Sequence, residues 1–407
     1  MLNILYLVHR LPYPPNKGDK VRSFNLLKHI SKDNNVYLGS FVDDPDDEKY
    51  VSVVGKFCKL LYCEKISKKY SSLYSLSGLF VGRALTLSYY ISGNFQAWVD
   101  DVIKNNNIDA VVVFSSVMAQ FVPASYYSRM LVDFVDVDSQ KWSEYSDQKY
   151  FPFSWLYRRE GTRLLEYERY LALNASHSFF VTEKERALFS ALVPESSFKT
   201  SALNNGVDSI FFAPGEEFES PFVRDDSSSI SLVFTGAMDY WPNIDAVVWF
   251  ANDVFPLLIK IFPNFRFYIV GRNPSQAVLN LQSSSIIVTG AVKDVRPYLL
   301  FSTLVVAPLR IARGVQNKIL EAMSMGKPVV ASVECVRAID AVDGVHILSA
   351  ETPSDFVKKI EFLVQNENLS KMIGDAARVN VEKKYSWNSH LKKIDAYLNF
   401  KKIEDPL

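Results

Sequence analysis

The stretch Val305-Val306-Ala307-Pro308-Leu309-Arg310-Ile311-Ala312-Arg313-Gly314-Val315-Gln316-Asn317-Lys318-Ile319-Leu320-Glu321-Ala322-Met323-Ser324-Met325-Gly326-Lys327-Pro328-Val329-Val330 decides how this chain folds. An apolar run ends at Pro308, a loop with two arginines and a glycine follows, and a helix opens near Gln316 or Asn317. Gly326 supplies the left-handed residue that closes such a helix, and Pro328 leads into the next strand. The helix N-terminus presents free N–H groups and partial positive charge, so it can receive a diphosphate without metal. Gly314 lets the backbone approach closely, while Arg310, Arg313 and Lys318 can neutralise phosphate charge, arginine as a bidentate fork. Glu321, one turn in, can accept hydrogen bonds from both ribose hydroxyls. Taken singly, these residues suit a solvated basic loop and a Glu favoured by the helix dipole. Their order in one register favours the ligand site.

Working outward, the same alternation of short Val/Ile/Phe-rich runs with amphipathic segments fills the chain, the pattern of βα units on parallel sheets. Candidate strands are residues 2–8, 36–41, 110–114, 130–135 and 178–181, then 231–234, 265–270, 286–288, 304–307 and 329–331. Between the two series lies a stretch rich in Gly, Pro, Asp and Ser, residues 205–229, the best linker candidate. We therefore expect an α/β protein of two doubly wound domains facing a central cleft. The first spans 1–204 and the second 230–385, with a final helix at about 386–403 that can pack back on the first. In such folds ligands bind at the carboxyl ends of the strands.

Composition narrows the classes. With 45 basic and 45 acidic residues the net charge is zero, which argues against broad capture of nucleic acid. Cys58, Cys63 and Cys335 are too few for a disulfide framework, and two ordinary buried thiols suit Cys58 and Cys63 better than a redox pair. No apolar run reaches spanning length, and the first one, residues 2–8, reads as a buried strand and not a leader. A cytoplasmic protein is expected, with the inner face of the membrane as one place of work.

The run from Leu320 to Val330 resembles the donor-site signature of retaining family 4 glycosyltransferases. The resemblance implies the two-domain glycosyltransferase fold called GT-B, its domains Rossmann-like, with a nucleotide sugar as substrate and no cofactor or metal. Glu321 matches the family's ribose-binding Glu; eight positions earlier, where the family has a sugar-contacting Glu, stands Arg313. Asn205-Gly206-Val207-Asp208 with Phe212 and Pro214 resembles the family's interdomain linker. Many members carry Gly-Arg and a later Lys after the first strand of the second domain. Here Gly236 is followed by Ala237, and no lysine occurs in residues 239–243. The phosphate grip is thus expected from Arg310, Arg313 and Lys318, with Arg272 a further candidate. The string Gly236-Ala237-Met238-Asp239-Tyr240-Trp241-Pro242-Asn243, combined with Arg310 and Arg313-Gly314-Val315-Gln316-Asn317-Lys318, is most similar to a bacterial subgroup of sugar transferases associated with exopolysaccharide and PEP-CTERM sorting systems. A glycan or lipid-linked acceptor is implied.

On the acceptor side, prolines extend the loop from His9 to Lys17, and Gly18 precedes a helix from about Lys20 to Ile30. The family's glycine loop there approaches the donor diphosphate and shapes the acceptor site, which makes Gly18, Asp19 and Arg22 candidates; a stiff surface turn capping a helix is the bland reading. His9 at the strand end can instead satisfy a buried backbone group. Many members have a His near the strand that here ends in Asp133-Phe134-Val135-Asp136-Val137-Asp138. Asp136 or Asp138 can take a hydroxyl proton or orient the donor sugar, whereas capping of the next helix is the bland alternative. Two carboxylates alone are weak grounds for a metal. Residues 56–70 interleave lysines with apolar residues, suiting an element packed on the sheet or, alternatively, a peripheral membrane contact. Rival functions are a nucleotide-sugar epimerase or hydrolase on the same architecture, and a catalytically idle nucleotide-binding subunit.

Overall fold

The computed structural model describes residues 1–15, 17–147, 149–215, 217–222, 229–311 and 314–398, apart from the side chains of Lys68, Lys69 and Phe80. The chain forms two compact units, one of Met1–Asn205 with the chain from His390 onward, the other of Gly206–Ser389.

Unit 1 holds seven strands: β1 (Asn3–Val8), β2 (Asn35–Val42), β3 (Leu60–Lys65), β4 (Ala110–Phe114), β5 (Met130–Val135), β6 (His177–Phe180) and β7 (Thr200–Ala202). They form one parallel sheet in the order β3-β2-β1-β4-β5-β6-β7. β4 reads Ala-Val-Val-Val-Phe and is buried throughout, as a strand covered by helices on both faces must be. Phe41, Phe95 and Phe121 anchor one layer, with Phe95 ring centroids 4.6 Å from each of the other two. Each such side chain withdrawn from water contributes about 1.5–3 kcal/mol.

Unit 2 repeats the plan with β8 (Ile230–Thr235), β9 (Phe265–Val270), β10 (Ile286–Gly290), β11 (Leu304–Ala307), β12 (Val329–Ser332) and β13 (Leu348–Ala350), in the order β10-β9-β8-β11-β12-β13. The helix Asn317–Ser324 crosses from β11 to β12. It ends in a Schellman motif: Gly326, at φ +68°, donates to Met323 O and Lys327 donates to Ala322 O at 3.1 Å. Gly374 lets the helix Glu367–Lys384 press on this cap, since a Cβ there would lie 2.2 Å from Gly326 O. The segments at 207 and 386 are paired side by side, Val207 N donating to Tyr385 O at 2.8 Å.

Residues 56–70 do not form one amphipathic face. Residues 60–65 are the edge strand β3, and the helix Lys68–Ser75 starts beyond it. Burial pushes the Cys58 thiol up to about 12 and the Cys63 thiol to about 11, away from a reactive thiolate, and both are free. No helix among the described residues is long and apolar enough to cross a membrane.

Candidate functional site

In unit 2 the strand order reverses between β8 and β11, the kind of switch point outside whose strand ends open α/β sheets bind ligands. Gly236 follows β8 there, and the loop after β11 leads into the helix Asn317–Ser324. Lys318, in its first turn, donates from Nζ to Asn243 Oδ1 at 2.5 Å and sits 4.1 Å from the Phe234 ring centroid. Asn243 donates its Nδ2 to Ala237 O at 2.8 Å, which turns the amide oxygen toward the ammonium. A Cβ on Gly236 would lie 2.7 Å from Asn243 Nδ2 and 2.9 Å from Lys318 Nζ, so glycine is what admits the lysine. Gly271 completes the floor, for its own Cβ would fall 1.6 Å from Gly236 O.

The electrostatics of this corner are unusual. Burial pulls the Lys318 ammonium down to about 7, with the Glu321 charge opposing the shift. Burial likewise raises Glu321 to about 7, against the attraction of Lys318. Among the described residues no hydrogen bond engages the Glu321 carboxylate, which leaves it able to accept from a ligand hydroxyl. An incoming anion would restore the full charge of Lys318.

The other expected phosphate ligands fare differently. Arg310 is turned to Asp245, donating from Nε to Oδ2 at 3.0 Å and from Nη2 to Oδ1, a two-pronged pair that any phosphate would have to displace. Arg272 is exposed after β9, where its charge acts on Asp239. Gly314 has φ +64°, a backbone conformation that favours glycine. Arg313 lies outside the described residues. Asn243 carries the fixed carbonyl that sequence reasoning missed. Its place three residues into a helix opened by Trp241-Pro242 was the available sign.

In unit 1 the order reverses between β1 and β4. His9, just past β1, stacks on Phe114 at the end of β4, ring centroids 5.9 Å apart. Its Nδ1 is buried and has no partner among the described residues, so it does not serve a backbone group. Its Nε2 stands 3.6 Å from Asp19, which also accepts from Arg10 Nη1 at 2.6 Å. Burial alone would raise Asp19, but the His9 ring beside it and the charge of Arg10 hold it well below the usual carboxylate range. Gly18 opens the helix Gly18–Ile30, with open space where a Cβ would stand.

Arg22 corrects the expectation of an acceptor contact. It is 1% exposed, donating to both carboxylate oxygens of Asp133 at 2.7 and 3.0 Å and to Leu203 O at 2.5 Å. Asp133 in turn accepts from Val135 N at 3.2 Å, and Val135 holds φ +68°. A β-branched residue there is strained, a condition that clusters at functional sites. Ser115, after β4, has φ 72°. The strained turn presents Asp136 and Asp138, yet Lys141 donates to both, at 2.7 and 3.0 Å. Burial opposes the Lys141 charge, but these two carboxylates outweigh it and raise its pKa. Each acid thus gives one oxygen to that ammonium and keeps the other clear of it. Among the described residues no group of three or more His, Cys, Asp or Glu could hold a metal ion.

With this geometry in hand, comparison with known proteins defines the class. Residues 229–366, most of unit 2, match the family model described as Glycosyl transferases group 1. No curated protein sequence matches the chain. Among solved structures, a glycosyltransferase from Rickettsia africae superposes with a TM-score of 0.66 at 16% identity, covering 98% of this chain and 99% of that one. HepE of Anabaena, solved in complex with UDP, gives 0.62 at 14% identity over 98% and 99%. A sucrose-phosphate synthase from Thermosynechococcus elongatus gives 0.65 at 13% identity over the whole of both chains. The fold is therefore GT-B, two Rossmann-like α/β domains in one chain. The group 1 match within the second unit, together with this fold, supports an enzyme that transfers sugars.

Proposed function

We propose that the protein moves a hexose-type sugar from a nucleotide-sugar donor to a glycan or lipid-linked acceptor. We read the transfer as retaining and metal-independent, in bacterial polysaccharide biosynthesis at the inner face of the cytoplasmic membrane. The observation that carries the reading is Lys318, lodged over Gly236 at the switch point with Glu321 one turn further along the same helix. Helix N–H groups and the ammonium would stabilise the departing diphosphate, the electrostatic contribution that usually dominates such chemistry. The C1–O bond to the diphosphate breaks as the acceptor oxygen bonds C1. Attack on the face that the leaving group vacates puts the departing oxygen beside the acceptor hydroxyl, so its proton leaves with the diphosphate. Glu321 would hold the ribose.

Incubation with a panel of nucleotide sugars and a bacterial lipid extract, with chelator present, tests this. Nucleoside diphosphate release that needs the extract, survives the chelator and gives a product with the donor's anomeric configuration by proton NMR is expected. Release lost with chelator would remove metal independence, inversion would remove retention, and no release with any donor would remove the transferase reading.

A pH dependence follows from Lys318. Its charge is what a diphosphate needs, and burial holds it near 7 in the free protein. Above pH 7 binding must therefore take up a proton. Between pH 7.5 and 9, above the last phosphate ionisation near about 6, affinity for a nucleoside diphosphate should fall with rising pH, by at most about tenfold per unit. Calorimetric dissociation constants across that range check it. A flat profile would show that the lysine is not the titrating partner, and Lys318→Met should flatten it.

A further inference from the structure

We propose that unit 1 docks on an anionic lipid bilayer through an aromatic, acid-free surface built from residues 70–83 and 149–158. The inference gives a surface to the membrane location in the proposed function and does not need the transferase reading. The chain balances 45 acids against 45 bases, yet residues 65–99 contain no Asp or Glu while carrying Lys65, Lys68, Lys69 and Arg83. Residues 148–159 are likewise free of acids and carry Lys149, Arg158 and Arg159. Two acid-free basic segments in a neutral chain call for a common cause.

The fold ties them together. Glu160, buried in the helix Phe153–Asn174, accepts from Leu85 N at 2.6 Å, Thr86 N at 2.8 Å and Thr86 Oγ1 at 2.6 Å. Its neighbour Arg159 donates to Gly78 O at 2.9 Å and Arg83 O at 3.1 Å. The segment around 78–86 is thus clamped to the second turn of that helix, with Trp155 one turn ahead. Around this clamp, large apolar side chains stand in water. Tyr70 is 78% and Leu73 70% exposed on one side, with Tyr74 and Val81 also exposed. Tyr150 is 92% and Phe151 82% exposed on the other, with Phe153 and Trp155 beside them. Single exposed apolar residues are ordinary, but a cluster of this kind marks an interaction surface.

The chemistry selects the partner. Tyrosine and tryptophan suit the boundary between headgroups and acyl chains, and interspersed cations suit anionic lipid. A second copy of this chain is disfavoured, because a two-fold contact would set Arg83, Lys149 and Arg158 against their own images. Lys65 is offset by its ion pair with Glu48, and Arg159 is spent on the two carbonyls, so among the described side chains Arg83, Lys149 and Arg158 are the exposed cations without an acidic partner. Glu144 and Asp147, exposed just before residue 148, set the limit of the surface on that side.

Co-sedimentation of the full-length protein, without nucleotide, with vesicles of phosphatidylcholine alone and with one-third phosphatidylglycerol tests the proposal. Partition into the anionic vesicles should exceed that into neutral ones by about tenfold or more and should weaken with salt. Tyr70→Ser/Trp155→Ser and Lys149→Glu/Arg158→Glu should each lower it by about tenfold with an unchanged thermal midpoint, since all four side chains are exposed. Equal partition into both vesicles, no partition, or partition indifferent to both double variants would overturn it. So would a concentration-dependent dimer that Tyr70→Ser/Trp155→Ser dissolves, which would give the surface to a second copy. Donor turnover is read separately, so loss of one result leaves the other standing.

Discussion

Lys318→Met is expected to lower kcat/KM for the nucleotide sugar by about 10²–10³-fold, the effect of removing one preorganised donor from developing charge, or about 2.7–4 kcal/mol. The ammonium is held in place before any ligand arrives: Asn243 orients it, Phe234 lies beneath it, and Gly236 leaves room for it. Arg310 cannot substitute cheaply, because its guanidinium is committed to Asp245. Stability should hold or rise in the variant. Burial depresses the lysine to about 7, so between that pH and its ordinary range folding must strip a proton that the unfolded chain keeps, and methionine removes that cost. Turnover measured beside a thermal melt separates the two effects. A variant as active as the wild type would remove Lys318 from the donor site.

The second large effect belongs to unit 1. Arg22→Met should destabilise it by about 3–5 kcal/mol, because the Asp133 carboxylate is left buried without its partner. Both side chains are almost wholly buried, at 1% and 2% exposure, and the guanidinium also satisfies Leu203 O and Asn205 Oδ1. Arg22→Met/Asp133→Leu should recover most of the loss, since an apolar pair leaves no buried charge. Recovery should stop short of complete, because Val135 N would lose the carboxylate that supports its left-handed backbone. Urea unfolding followed by circular dichroism reads this in the earlier transition, two units giving no single two-state curve. A double variant as unstable as the single one would mean that the salt bridge is not the cause.

Much of the sheet architecture was legible because central parallel strands are buried on both faces. The runs at β4, β5, β9 and β11 read from sequence with the bounds that the structure gives them. The strands that escaped are β3, β7 and β13, all at sheet edges. β3 is half exposed along its length, and the other two are only three residues long, so neither shows an apolar run. The glycine cap at Gly326 was readable because it is a local matter of backbone sign. The pairing of Lys318 with Asn243 was not, since 75 residues separate them, nor was that of Arg22 with Asp133 across 111. Residue type marks a cation as useful, but only the fold decides whether it lies over a glycine at the switch point, as Lys318 does, or meets a carboxylate of its own chain, as Arg22 and Arg310 do.

The most direct test of the central claim is calorimetric titration of a panel of nucleoside diphosphates into the wild type, Lys318→Met and Glu321→Ala. The account predicts saturable binding that favours one base and weakens by about tenfold or more in each variant, one losing a charge-assisted contact to phosphate and the other the ribose acceptor. Absence of binding by a well-folded wild type, or binding that both variants keep intact, would contradict it.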